Sequence, residues 1–180
     1  MELRFFLTPL SIKANILIDK TGNALLADFG LVAVTSDSTS RASSLRLLGG
    51  TLLWTSPELI DPERFGLEDS RPTKQSDCYA LGMVIYEIIS GHLPFHKCKG
   101  LIFVVKILAG ERPLKDEGPF TDSLWEMLEL CWMPQPDARP SIEDVLQCLE
   151  GASIEQGDNV ILGPAGMFSC FILLRVLWSQ

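Results

Sequence analysis

Ser76-Asp77-Cys78-Tyr79-Ala80-Leu81-Gly82-Met83-Val84-Ile85-Tyr86-Glu87-Ile88-Ile89-Ser90-Gly91 reads as one helix and its stop. Its body is apolar nearly all round, the pattern of a helix sunk inside a domain rather than lying on its surface. Ser76 can act as the N-cap, Asp77 sits in the first turn near the positive end of the helix dipole, and Gly91 supplies the left-handed residue that ends the run. This segment is expected to be the spine of the core.

On the C-terminal side, further helices are predicted at about residues 100–109, ended by Gly110, at 122–132 behind Thr121 as cap, and at 141–149 with Ser141 and Asp144 as a near capping box. Pro134, Pro136 and Pro140 separate the last two. On the N-terminal side, Asn15-Ile-Leu-Ile18 and Ala24-Leu-Leu-Ala27 flank the turn formers Asp19-Lys-Thr-Gly-Asn23 and predict a β-hairpin. Residues 31–50 are Ser/Thr-rich and end in Gly49-Gly50, a connection long enough to suggest a regulatory loop. Hairpin, long loop, then helices make an α+β arrangement that is mainly α.

Composition bounds the rest. The 180 residues are 47% apolar and 21% charged, which fits one packed globular domain and excludes a disordered or collagen-like chain. Lys+Arg 15 against Asp+Glu 23 leaves a net charge of -8, so nucleic acid is not an expected partner. Cys78, Cys98, Cys131, Cys148 and Cys170 form no CxxC pair, which argues against a disulfide framework or a zinc site and for a reducing compartment, the cytoplasm. Residues 1–13 offer no convincing signal-peptide cleavage site. Near the other end, residues 160–174 carry no charge but fall short of the roughly 20 apolar residues a membrane span needs. Extension past Arg175 to Trp178 gives only a marginal tail anchor, and an extra packed or floppy tail is the expected reading.

Asn15 and Asp28 flank the hairpin, so both side chains are expected at one end of it, where two oxygen donors suit Mg²⁺. Alone, Asp28-Phe29-Gly30 is an ordinary turn sequence; its companions decide its reading. Lys13-Ala-Asn15, Asp28-Phe29-Gly30, Gly50-Thr51-Leu-Leu-Trp54-Thr-Ser56-Pro57-Glu58, Ser76-Asp77 through Gly82 with Gly91-His-Leu-Pro94-Phe95, and Cys131-Trp132…Pro136-Asp-Ala-Arg139-Pro140 occur in this order. Together they resemble the large C-terminal lobe of a eukaryotic protein kinase, over residues 13–150. Lys13, Trp54 and Cys131-Trp132 are most similar to the tyrosine-kinase-like branch of Ser/Thr kinases.

The resemblance implies transfer of the γ-phosphoryl of ATP to a protein hydroxyl, with ATP and Mg²⁺ as cofactors and a protein as substrate or partner. It implies Lys13 as a phosphate contact, Asp28 and Asn15 as metal ligands, and Thr51 and Trp54 at the peptide site. It further implies Asp77 as an anchor of the catalytic-loop backbone and Glu58 with Arg139 as a buried ion pair. Ser56 stands where the family has Ala.

The catalytic loop of the family reads His-Arg-Asp-Leu-Lys-x-x-Asn, and five residues before Asn15 is Leu10; a one-residue deletion that keeps Lys13 in place puts Ser11 there instead. Residues 3–14 contain no Asp or Glu, so either alignment lacks the carboxylate that accepts the hydroxyl proton. The Arg that would receive an activation-loop phosphate from Thr35, Ser36, Ser38, Thr39, Ser40, Ser43 or Ser44 is missing too. Upstream of Asn15 the chain has no room for the Gly-rich loop or the strand lysine that cover ATP. Residues 1–12 and 151–180 are unlike the family. Catalytic impairment is therefore expected, and a non-catalytic, pseudokinase-type binding or scaffold module is the alternative.

Overall fold

The computed structural model describes residues 16–18, 24–26, 52–115 and 120–155. Strands β1 (Ile16–Ile18) and β2 (Ala24–Leu26) pair antiparallel, with Ile16 opposite Leu26, Leu17 opposite Leu25 and Ile18 opposite Ala24. The hairpin is thus present, and the strand ends leading to Asn15 and to Asp28 are paired with each other. The described helices are α1 (Pro57–Ile60), α2 (Lys74–Ser90), α3 (Ile102–Leu108), α4 (Asp122–Cys131) and α5 (Ile142–Glu155). Short 3-10 turns occupy Leu52–Trp54, Pro62–Phe65 and Pro136–Ala138. Among the described residues the architecture is mainly helical, with the hairpin as its β part.

α2 is the spine. Every residue from Cys78 to Glu87 is buried, and the helix packs against the Leu52–Trp54 turn, α4 and the Pro136–Ala138 turn. Its start lies three residues earlier than the sequence suggests. Thr73, in extended backbone, is the N-cap: its Oγ1 accepts the Ser76 N–H at 3.1 Å, while the Thr73 N–H donates to Ser76 Oγ at 2.8 Å. Ser76 is therefore the inner member of a reciprocal capping box and not the cap itself. Two hydroxyl residues three apart make equally good caps on paper; the extended backbone of Thr73 decides between them. At the other end Gly91 adopts φ 72 and its N–H closes on Glu87 O, as its position predicts.

α3 is shorter than residues 100–109. It is fenced by Gly100 at φ 57 and Gly110 at φ 86, and Leu101 before it offers no side-chain cap. α4 begins behind Thr121, whose Oγ1 accepts the Leu124 N–H at 3.3 Å. α5 opens on Ser141 and Asp144, which cap one another through both backbone N–H groups. It runs on to Glu155 because Gly151 keeps a negative φ and interrupts nothing.

Aromatic side chains weld α2 to α4. Tyr86 stacks on Phe120 at 5.5 Å and meets Trp132 edge-on at 6.1 Å, and Trp125 meets both Phe120 and Trp132 edge-on. Such pairs each contribute about 0.5–1.5 kcal/mol beyond the area they bury.

Candidate functional site

The segment just after the first 3-10 turn carries the described part of the site. Trp54 is 2% exposed and its indole packs into the core, so it supports the turn from beneath. Ser56 precedes α1 with extended backbone but does not cap it through its side chain, and its buried Oγ has no hydrogen-bond partner. A buried hydroxyl without a partner carries its full desolvation cost. Ser56→Ala is therefore expected to raise the unfolding free energy by about 1 kcal/mol, read from the urea midpoint at unchanged slope.

Pro57 suits the first position of α1 because its missing N–H is not needed there. Glu58 follows, and its carboxylate is gripped by Arg139 from 81 positions away. Arg139 Nη1 donates to Glu58 Oε1 at 2.7 Å and Nη2 to Oε2 at 2.8 Å, a two-pronged fork matched to the carboxylate. The Arg139 side chain is 0% exposed and that of Glu58 3%. Two further donors are used: Nε goes to Met133 O at 2.9 Å and Nη1 to Gln75 O at 2.8 Å. One guanidinium thus ties α1 to the first turn of α2 and to the segment leaving α4.

Below the fork lies Tyr79. The Arg139 guanidinium sits 5.2 Å from its ring centre and that of Arg112 5.5 Å. Arg112 in turn donates to Trp132 O at 2.9 Å and Ile107 O at 3.4 Å, so the end of α3 is fixed to the same ring. Cations near a desolvated ring are attracted by its quadrupole. Burial pushes the Tyr79 hydroxyl up to about 12, and the two arginines only partly offset this. An unfolded tyrosine near 10 releases its proton first, so this contribution to stability is complete below pH 10 and lost as the pH rises from 10 to about 12. Tyr79→Phe is expected to flatten the alkaline limb of the urea midpoint between these values. At neutral pH it should cost nothing, because the buried hydroxyl, like that of Ser56, has no partner to lose.

Asp77 is half-buried in the first turn of α2, favourably placed at the positive end of the helix. Lys13, Asn15, Asp28 and Thr51 lie outside the described residues, as do the loop at 31–50 and the segment 156–180. Among the described residues, no three His, Cys, Asp or Glu side chains gather to hold a metal, and no helix is long and apolar enough to cross a membrane. Tyr79 and Arg112 carry no sequence signal of their own, since their partners come from distant segments.

The family model for protein tyrosine and serine/threonine kinases matches residues 12–149. The chain belongs to this kinase family. A serine/threonine-protein kinase/receptor of Acanthamoeba polyphaga mimivirus is 31% identical over 152 residues, covering 84% of this chain and 8% of that protein. Receptor-interacting serine/threonine-protein kinase 3 of Rattus norvegicus is 31% identical over 140 residues, covering 73% and 28%. Serine/threonine-protein kinase STY17 of Arabidopsis thaliana is 30% identical over 149 residues, covering 81% and 24%. The chain therefore spans less than a third of the length of these relatives. Kinases of this family act on protein substrates with ATP and Mg²⁺. In this kinase lobe the Arg139 fork holds α1 directly behind the segment that resembles the family's substrate-docking turn.

Proposed function

We propose that this chain is the helical lobe of a Ser/Thr-directed, tyrosine-kinase-like protein kinase that engages a protein partner but transfers phosphate poorly by itself. The observation that carries this reading is a mismatch. Glu58 and Arg139 form a buried fork behind the turn that would dock substrate, while Leu10 or Ser11 stands where a proton-accepting carboxylate belongs. Phosphoryl transfer depends on positioning and charge stabilisation, so loss of the group that orients the hydroxyl removes most of the rate.

On this reading Thr51 touches the substrate segment and Trp54 braces it from below. Lys13 contacts phosphate and Asp77 anchors the residues around it. Asn15 and Asp28 are oxygen donors of the type Mg²⁺ accepts, and the ion would supply charge neutralisation to the phosphates of ATP. The cysteines found free fit a reducing, cytoplasmic setting.

Labelled-phosphate transfer from Mg·ATP to a generic protein substrate tests the proposal. No transfer above background is expected from the purified chain; transfer abolished by Asp28→Ala would overturn it.

A second reading, a purely non-catalytic docking module, is favoured by the outer face of α3 and its approach, where Leu101, Ile102 and Val105 are all exposed, Val105 at 69%. Melting with and without Mg·ATP separates the two, since a ligand bound only by the folded lobe must raise its melting temperature. A rise supports the kinase reading, and no rise supports the docking module.

A further inference from the structure

α3 is apolar on both of its faces, Ile102-Phe-Val-Val-Lys-Ile-Leu108 with Lys106 as its one charge. A helix apolar all round belongs inside a domain, but α3 is covered on one side only. Phe103 and Ile107 are buried in the core, and the helix rests on α1 and the Leu52–Trp54 turn. On the opposite side Leu101 and Ile102 are each 55% exposed, and Val105, one helical turn from both, 69%. Single exposed apolar residues are ordinary, whereas three neighbours on one stripe mark a surface built to be covered. The segment that carries this stripe is basic in an acidic protein. Residues 88–110 contain no Asp or Glu, although the whole chain has 23 of them, and they contain Lys97, Lys99 and Lys106. Lys97 and Lys99 are exposed in the loop that leads into α3, and Lys106 is paired with Glu111.

We propose that the outer face of α3 and the loop bearing Lys97 and Lys99 form one docking surface for an acidic amphipathic segment of a partner protein. The proposal rests on the reading of the lobe as one that engages a protein partner, and it supplies that partner's chemistry. Apolar side chains of the segment cover Leu101, Ile102 and Val105, while carboxylates beside them face Lys97 and Lys99. The apolar contact holds the segment and the lysines select it, because charge complementarity sets specificity and association rate more than affinity. A second copy of this chain is disfavoured as the occupant, since a two-fold contact would set the lysines of one copy near those of the other. An anionic membrane is disfavoured too. Lipid recognition takes clusters of about 4–8 basic residues, and a chain of net charge -8 is repelled by such a surface.

Fluorescence anisotropy of labelled synthetic peptides titrated with the full chain tests this. The probe is a helical peptide with Leu at i, i+3, i+4 and i+7 flanked by glutamates, alongside versions carrying Gln or Lys in place of every Glu. The expected result is saturable binding of the Glu peptide, weaker binding of the Gln peptide and none of the Lys peptide, with the preference for Glu over Gln fading as salt rises. Val105→Glu should abolish binding of the Glu peptide. Lys97→Glu combined with Lys99→Glu should weaken it about tenfold and leave the Gln peptide unaffected. All three side chains are exposed, so the variants keep the fold, which an unchanged melting temperature checks. Equal binding of the Glu and Gln peptides would overturn the acidic partner and leave the docking surface standing. Failure of every peptide to bind, or binding that survives Val105→Glu, would overturn both. Co-sedimentation with phosphatidylserine vesicles in place of peptide binding would overturn the proposal in favour of a membrane, and dimerisation lost in Val105→Glu would overturn it in favour of a second copy.

Discussion

Arg139→Ala is expected to lower the unfolding free energy of the lobe by about 3–5 kcal/mol, because it leaves the Glu58 carboxylate buried without its counter-charge. A domain of this size has about 5–15 kcal/mol in total, so the variant should be largely unfolded at moderate urea, where the wild type is still native. The loss has three sources beyond the ion pair. Met133 O and Gln75 O lose a donor each, and Tyr79 loses one of its two cations. Arg139→Lys should recover only part of the loss, since an ammonium cannot reproduce the two-pronged grip on Glu58 Oε1 and Oε2. Urea midpoints of Arg139→Ala, Glu58→Gln and the double variant form the cycle that checks this. The double variant is expected to cost clearly less than the sum of the singles. Additive losses, or a cost under about 1 kcal/mol for Arg139→Ala, typical of a surface pair, would contradict the assignment.

Gly82→Ala is the second large effect, and it comes from overpacking. The added methyl would lie 2.7 Å from Trp132 Nε1 and 2.9 Å from Cys131 Cβ, both closer than real Cβ atoms approach other heavy atoms. The indole cannot swing aside, because Trp132 is held edge-on between Tyr86 and Trp125. A clash of this kind costs about 1–3 kcal/mol, and with neighbours this fixed the upper figure is expected. That outweighs the propensity gain of up to 1 kcal/mol that alanine normally brings to a helix interior. Combining Gly82→Ala with Trp132→Phe, which removes the pyrrole edge, should give a double variant more stable than additivity predicts. Thermal melting of the four proteins reads the result; a stabilised Gly82→Ala single variant would show that the α2–α4 contact is looser than described.

These two sites also show what a sequence can disclose. The spine was legible because a helix apolar on every side needs no partner information, and Gly91 marks its end by local backbone chemistry alone. The hairpin was legible for the same reason, two short apolar runs around five turn formers. The first residue of α2 was not, since Thr73 and Ser76 are both good caps and only the backbone at Thr73 separates them. Nor was the length of α5, as Gly151 is as compatible with a helix as with its end.

The pairing of Glu58 with Arg139 spans 81 positions and was accessible only through the order of motifs the chain shares with kinases. Nothing in the local pattern placed Arg112 and Arg139 at Tyr79, or Gly82 against Cys131 and Trp132, because helix packing sets those contacts. Burial of Trp54 was equally invisible: an indole in a turn suits a surface contact as well as a brace until the elements around it are assembled.

α2 is the buried axis on which the Leu52–Trp54 turn and the Arg139 fork are mounted. Native-state amide hydrogen exchange measures this directly. The amides of Ala80–Tyr86 are expected to be the slowest in the lobe, exchanging only through global unfolding and following its full denaturant dependence. Exchange of these amides through local opening, as fast as those of the short helix α3, would contradict this.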